Sequence, residues 1–477
     1  MKWFFTLLLA TGLLGSMTGQ ANYNISGTLA GYDETEIYLG YYYADKQYLM
    51  DTSLVQDGQF RFEGKDTLKP GVYIVVMPPD NSYFQLMVNE VNSEFSFVAD
   101  NTDLENSIQF ENSPDNTLFY ENLSFISAKR KEVEALRAEQ DAAQGVDEKA
   151  ELTTKLQVIN DEVAAFQKGL VLKNPKGMTA ALVRSGFNIV LPEFTGTDQE
   201  VQRSRYLYYK QHYFDHLDLS DDRMIRTPQH TFLDRINHYL EKLTPQHPDS
   251  IISSLDYLLS KLKPAKETYK YFLIEFLNEY AQSKIVGMDA VYVHLAENYY
   301  AKGEAPWVEE SQLKKIIDNA ASAKPTLIGQ VAPNFVVQLQ EGKNLSLAEL
   351  KAQYIVLIFW AHDCGHCQES IPTLAEFQKE FHDEGIQVLS VCTKLNKDEP
   401  ACWDFVVEKG LEEVPGWINT SDQLGGRSYM HSLYNIKKTP KLFVLDAEKK
   451  IISKDLSVEQ LEEFFQQEIG TEVKGDQ

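Results

Sequence analysis

Cysteine is scarce in this chain: four residues among 477, at positions 364, 367, 392 and 402, all in the C-terminal third. So few exclude a small disulfide-stapled scaffold and reserve cysteine for one region of a large, core-stabilised protein. Positive charge is also in deficit, with 45 Lys and Arg against 70 Asp and Glu and a net charge of −25. A surface of that sign repels nucleic acid and anionic membranes, so no nucleic-acid partner is expected; its plainest role is solubility. Beyond the first residues, no segment approaches the ~18 uncharged apolar residues of a membrane span. A fixed repeat period is missing as well, although Ala290–Tyr300 faintly resembles a tetratricopeptide helix. What the chain does hold is 43% hydrophobic residues, with 25 Tyr and 25 Phe, which is core material enough to exclude disorder. Its length suits about three domains of roughly 150 residues.

At the N-terminus, Lys2 precedes the apolar stretch Phe4–Leu14, and Gly19 and Ala21 suit a cleavage site. Residues 1–21 therefore read as an export signal cut after about Ala21, with an uncleaved anchor as the alternative. A periplasmic, exported protein is expected. Residues 22–112 read as an antiparallel β-sandwich, from short alternating runs at 23–27, 36–40, 59–63, 71–76 and 94–98 separated by turns such as Asp57-Gly58. The Tyr41-Tyr42-Tyr43 run reads as strand packing. Residues 113–325 read as all-α. Leu152, Leu156, Ile159, Val163, Phe166 and Leu170 form one apolar stripe, and Phe119, Leu123, Ile126, Val133 and Leu136 form another. Joined through Ala142–Gly145, the two predict an antiparallel helical hairpin. Its charge-rich face, Lys129 to Glu162, reads as solvated rather than as a docking surface. Phe232, Ile236, Leu240 and Leu243 mark a further helix, after which Pro245, Pro248 and Pro264 divide the chain.

Residues 326–470 alternate strand and helix, with strands expected at 335–337, 354–360, 386–391, 441–445 and 450–453 and a helix at 458–465, followed by a tail at 471–477. This is an α/β sheet of mixed strand directions. The apolar run Tyr354–Phe359 leads into Trp360-Ala361-His362-Asp363-Cys364-Gly365-His366-Cys367. A strand, a sharp turn and two cysteines opening a helix make a redox dithiol. Two intervening residues on one helical turn bring the sulfurs within disulfide reach. Cys364 then lies at the helix N-terminus, where dipole and free N–H groups favour thiolate, the nucleophile of disulfide exchange. His366 adds an imidazole beside it. Cys364 is expected to attack and Cys367 to resolve the mixed disulfide. A zinc site with His362 and His366, or a purely structural disulfide, are the alternatives.

The block 326–470 resembles the thioredoxin superfamily, and within it the TlpA-like thiol-disulfide oxidoreductases of bacterial envelopes. The resemblance rests on the dithiol, on Gly329–Phe335 followed by Leu345–Leu350, on Cys367-Gln368-Glu369-Ser370-Ile371-Pro372, and on Thr439-Pro440 ahead of a strand. It implies a C-terminal α/β thioredoxin-like fold behind two accessory domains. It implies also that Pro440 is the family's cis-proline, leaving room for substrate backbone beside Cys364, and that Pro372 kinks its helix. Glu369 matches the family's carboxylate near the resolving cysteine, a proton relay for Cys367; a plain helix carboxylate is the alternative. Cys-Gly-His-Cys is the sequence of protein disulfide isomerases and implies a more oxidising pair. Two positions depart from the family. Asp363 stands where Trp is usual, and a carboxylate turned inward there would destabilise the thiolate. Ile358 replaces a buried Asp, so proton transfer falls to Glu369 or water.

Cys392 ends a strand and Cys402 opens the next helix. A second disulfide, two inert thiols, or a pair passing electrons from the main dithiol all fit the sequence. The expected activity is thiol-disulfide exchange with envelope proteins, as a reductase, without cofactor or metal. A membrane redox partner would recharge it, and the accessory domains would present substrate, space the site or form a homodimer. An oxidase or isomerase, or a binding and assembly protein with a vestigial pair, are the other readings.

Overall fold

The computed structural model describes residues 22–89, 93–394, 396–422 and 430–475. The expected export signal lies outside the described residues. By its internal contacts the chain forms two compact units, Met1–Leu243 with Ser260–Tyr269 and Thr244–Leu259 with Lys270–Gln477.

The first unit begins with eight strands: β1 (Tyr23–Ala30), β2 (Glu36–Tyr43), β3 (Lys46–Leu54), β4 (Gln59–Gly64), β5 (Gly71–Met77), β6 (Ser82–Val88), β7 (Glu94–Asp100) and β8 (Gln109–Glu111). They make two four-stranded sheets, ordered β4-β1-β7-β8 and β3-β2-β5-β6. Alternation buries one face of each, as in β1, where Tyr23, Ile25 and Leu29 point inward. Phe84 of one sheet meets Phe97 of the other edge to face at 5.6 Å, so the sheets form a sandwich. One expectation is corrected. The sandwich is not wholly antiparallel, because β1 pairs with β7 in parallel. β7 arrives from the opposite sheet rather than by a hairpin from β1, so nothing forces it to run the other way. The three tyrosines behave as strand residues, Tyr41 packing on Tyr48 and Tyr73.

The expected hairpin is present. Helices Pro114–Ala142 and Val146–Lys173 pair along the two stripes, with Leu152, Ile159 and Leu170 buried. Phe125 stacks on Phe166 at 3.9 Å, and Lys129 bridges to Glu162 at 2.8 Å on the charged face. The helix Leu233–Glu241 buries Leu233, Ile236, Tyr239 and Leu240.

In the second unit, the helix Asp289–Leu295 runs into a π-helical turn, Ala296–Tyr300, and the helix Glu310–Ala323 follows. Seven further strands make one sheet: β9 (Val336–Gln338), β10 (Asn344–Ser346), β11 (Tyr354–Trp360), β12 (Ile386–Cys392), β13 (Trp417–Ser421), β14 (Lys441–Leu445) and β15 (Ile451–Lys454). The order is β10-β9-β13-β12-β11-β14-β15. β11 lies inside the sheet, between β12 and β14, and every residue of it is buried. Tyr354, Val356, Ile358 and Trp360 face a core shared with Cys367, Ile371 and Leu374. Ile355, Leu357 and Phe359 face the other side, against Phe335, Tyr434 and Phe443. A strand covered on both faces needs apolar residues throughout, and that is why its run is unbroken. The last helix, Val458–Gly475, continues into the stretch read as a tail. Among the described residues no helix is long and apolar enough to cross a membrane.

Candidate active site

β11 ends at Trp360, and after three intervening residues Cys364 serves as the N-cap of the helix Gly365–Phe381. The Cys364 carbonyl accepts from the N–H groups of Cys367 and Gln368, both at 3.0 Å, which fixes the first turn. Pro372 lies inside this helix. Antiparallel pairing sets Lys441 of β14 opposite Phe359 of β11. Thr439 and Pro440, just ahead of β14, are thereby brought level with the cysteine loop. The Thr439–Pro440 peptide is cis, and the Cys364 thiol donates to the Thr439 carbonyl at 3.3 Å.

Both thiols of the pair are free here, and their surroundings differ. Cys364 is partly exposed; Cys367 is fully buried. Burial of the Cys364 sulfur is the largest influence and works against ionisation. Hydrogen bonds from the Thr439 side chain, the Cys367 thiol, and the backbone N–H groups of Cys367 and His366 together outweigh it, so the thiol lies below its ordinary value. Cys367 goes the other way: burial pushes it up to about 12. One helical turn thus separates a thiol poised to ionise from one held protonated.

The other expected residues fall into two groups. Pro440 is brought to the site. The group that His366 offers Cys364 is its backbone N–H, while its side chain is exposed. Glu369 is likewise exposed, on a helix whose Cys367 side is buried, and among the described residues no hydrogen bond or ion pair engages its carboxylate. Ile358 is a core residue. Among the described residues no group of three or more His, Cys, Asp or Glu is placed to hold a metal ion.

Asp363 does not turn inward. Its carboxylate meets Lys394 Nζ at 2.7 Å, and this bond holds it below the usual carboxylate range despite slight burial. Lys394, 31 residues downstream, carried no local signal in the sequence. The residue before it, Thr393, donates its N–H (2.8 Å) and hydroxyl (3.1 Å) to the Trp360 carbonyl, and Trp360 Nε1 donates to Ser390 Oγ at 2.7 Å. Cys392, level with Trp360 in the β11–β12 register, is bonded to Cys402 in a disulfide, with both residues almost fully buried.

Residues 328–454 match the AhpC/TSA family; residues 148–324 and 23–119 match two domains of unknown function, DUF5106 and DUF4369. The thiol-disulfide oxidoreductase ResA of Bacillus cereus is 29% identical over 142 residues, covering 29% of this chain and 77% of that protein. ResA of Bacillus subtilis is 27% identical over 124 residues, covering 26% of this chain and 64% of that one. Among solved structures, a domain of a possible thiol-disulfide isomerase from Cytophaga hutchinsonii is 31% identical, covering 31% of this chain and 97% of its own, with a TM-score of 0.28. A thioredoxin-like protein from Bacteroides caccae is 22% identical and covers 58% of this chain and 98% of its own, with a TM-score of 0.42.

Proposed function

From the premise that this chain belongs to the thioredoxin superfamily, as a TlpA/ResA-like thiol-disulfide oxidoreductase with extra N-terminal domains, we propose that it is exported and reduces disulfides of envelope proteins through Cys364 and Cys367. The observation that carries the thiol exchange is the opposed setting of the two thiols, Cys364 partly exposed at a helix N-terminus and lowered, Cys367 fully buried and raised to about 12. The Cys364 thiolate attacks one sulfur of a substrate disulfide. A mixed disulfide forms and the other substrate sulfur leaves as thiolate. Cys367 then gives up its proton to water or to that thiolate and attacks Cys364 Sγ. The Cys364–Cys367 bond forms and the second substrate sulfur departs. Two electrons pass to the substrate, and the pair is left oxidised. A dithiol partner at the membrane returns two electrons to it.

Export rests on the charged and apolar character of residues 1–21. Cys364→Ser is expected to abolish exchange, and Cys367→Ser to accumulate a mixed disulfide visible on a non-reducing gel. Exchange surviving in Cys364→Ser would overturn the assignment. The Gly365-His366 pair between the cysteines favours a second reading, an isomerase or oxidase. Equilibration with glutathione buffers decides between them. A potential near ~−270 mV or below supports the reductase, and one near ~−180 mV or above supports the alternative.

A further inference from the structure

Asp363 places a full negative charge one residue from the attacking thiol. The helix N-terminus that favours the thiolate supplies only about half an elementary charge of opposite sign. An uncompensated carboxylate would therefore cancel much of that advantage. The structure holds a compensating group. Lys394 Nζ lies 2.7 Å from Asp363 Oδ2, with the two side chains 30% and 55% exposed. At that exposure the pair adds little to stability. Its effect is on the local field.

Lys394 is held in place. Thr393 fixes the start of the loop through the Trp360 carbonyl, and Lys394 fixes Asp363 just before the helix. Both residues directly follow Cys392, the last residue of β12. That strand end is pinned by pairing with β11 and β13, by the Asp422 N–H donating to the Cys392 carbonyl at 2.8 Å, and by the bond to Cys402. We propose that Lys394 is a positioning residue of the redox site, keeping the Asp363 carboxylate turned from Cys364 and neutralised, and that the buried Cys392–Cys402 disulfide anchors the strand end from which it reaches. This rests on Cys364 being the attacking thiol. The other titratable groups next to Cys364 are His362 in the loop and His366 and Cys367 on the helix; Lys437 and Lys438 precede Thr439, the residue whose carbonyl accepts from the thiol. Glu369 is exposed on the helix, and Lys441 is paired with Asp455. None of these is removed with Lys394.

The test is the pH dependence of iodoacetamide alkylation at Cys364. It is read by mass spectrometry on the full chain, after mild reduction that leaves Cys392–Cys402 intact. Lys394→Gln is expected to raise the Cys364 midpoint by about 0.5–1 pH unit, a roughly three- to tenfold loss of thiolate at lower pH. Lys394→Arg is expected to restore it. Asp363→Asn and the double variant Lys394→Gln/Asp363→Asn are expected at or below the parent midpoint. An unmoved midpoint in Lys394→Gln overturns the proposal. So does a double variant that rises as far as Lys394→Gln, since the lysine would then act without Asp363. Cys392→Ser/Cys402→Ser, with an unchanged near-ultraviolet dichroism spectrum, is expected to shift the midpoint upward like Lys394→Gln; no shift overturns the anchoring role. If Cys364 of the parent protein does not titrate below a free cysteine, it is the assignment of the attacking thiol that fails, whatever the variants do.

Discussion

Two cysteines of one helical turn differ because one sulfur meets the open N-terminal amides and the other is enclosed. Cys367 shares its core with Ile371 and Leu374 under β11, where a charge has no water to stabilise it. A thiol lowered in the fold loses its proton at lower pH than a free one, so its reactivity sets in earlier on an alkaline titration. Cys364 should therefore reach half its maximal alkylation rate below the ~8.5 of an unperturbed cysteine. Cys367, pushed up to about 12, should stay unmodified throughout the neutral range. Site-resolved mass spectrometry after timed quenching measures both; equal labelling of the two would contradict the opposed tuning. At this scale the dithiol and Thr439-Pro440 were legible because each is a local pattern of residue types. Lys394 was not. Its ion pair depends on the register that sets Cys392 beside Trp360, and no spacing in the sequence encodes that pairing.

Among the elements, β15 carries a feature its residue pattern hides. Lys454 is 3% exposed, and its ammonium is hydrogen-bonded to Asp289 and, at 2.7 Å, to the Thr326 carbonyl. Burial pulls this lysine below its ordinary value even though Asp289 opposes the shift. Lys454→Met would leave a carboxylate without its cation and a carbonyl without a donor. Removing one partner of a buried pair costs roughly 3–5 kcal/mol. Asp289 keeps partial exposure, which places the expected loss at the lower end. Lys454→Met/Asp289→Leu should recover part of it, since no charge is then left unpaired. Thermal melts of the three proteins test the order, and a single variant as stable as the parent would contradict it. The sequence disclosed β11 through its unbroken apolar run and the helical hairpin through two stripes. It did not disclose β13, whose Trp-Ile-Asn-Thr-Ser run has polar residues at its centre and end; that strand is made by pairing with β12. β3, an exposed sheet edge with no alternation of burial, was hidden for the same reason.

For the molecule as a whole, the excess of 70 acidic over 45 basic residues sets the balance between repulsion at long range and attraction at short range. Like charges spread over many ångströms push the compact state apart. Contacts such as Lys394–Asp363 at 2.7 Å and Lys129–Glu162 at 2.8 Å pull it together. Salt does not act on the two equally. Screening reaches about 30 Å at 0.01 M and about 8 Å at 0.15 M ionic strength, so added salt silences distant repulsion while leaving most of a contact pair's attraction. Exposed pairs contribute only about 0–1 kcal/mol each in any case. The melting temperature at pH 7 should therefore rise when sodium chloride is taken from 0.01 M to 0.15 M. A fall would mean that the ion pairs, rather than the net charge, dominate the electrostatics of the fold. The redox site should respond less than the fold does. The carboxylate beside Cys364 is balanced by a cation in direct contact, and the Cys364 alkylation midpoint should stay nearly constant over the same salt range in which the melting temperature moves.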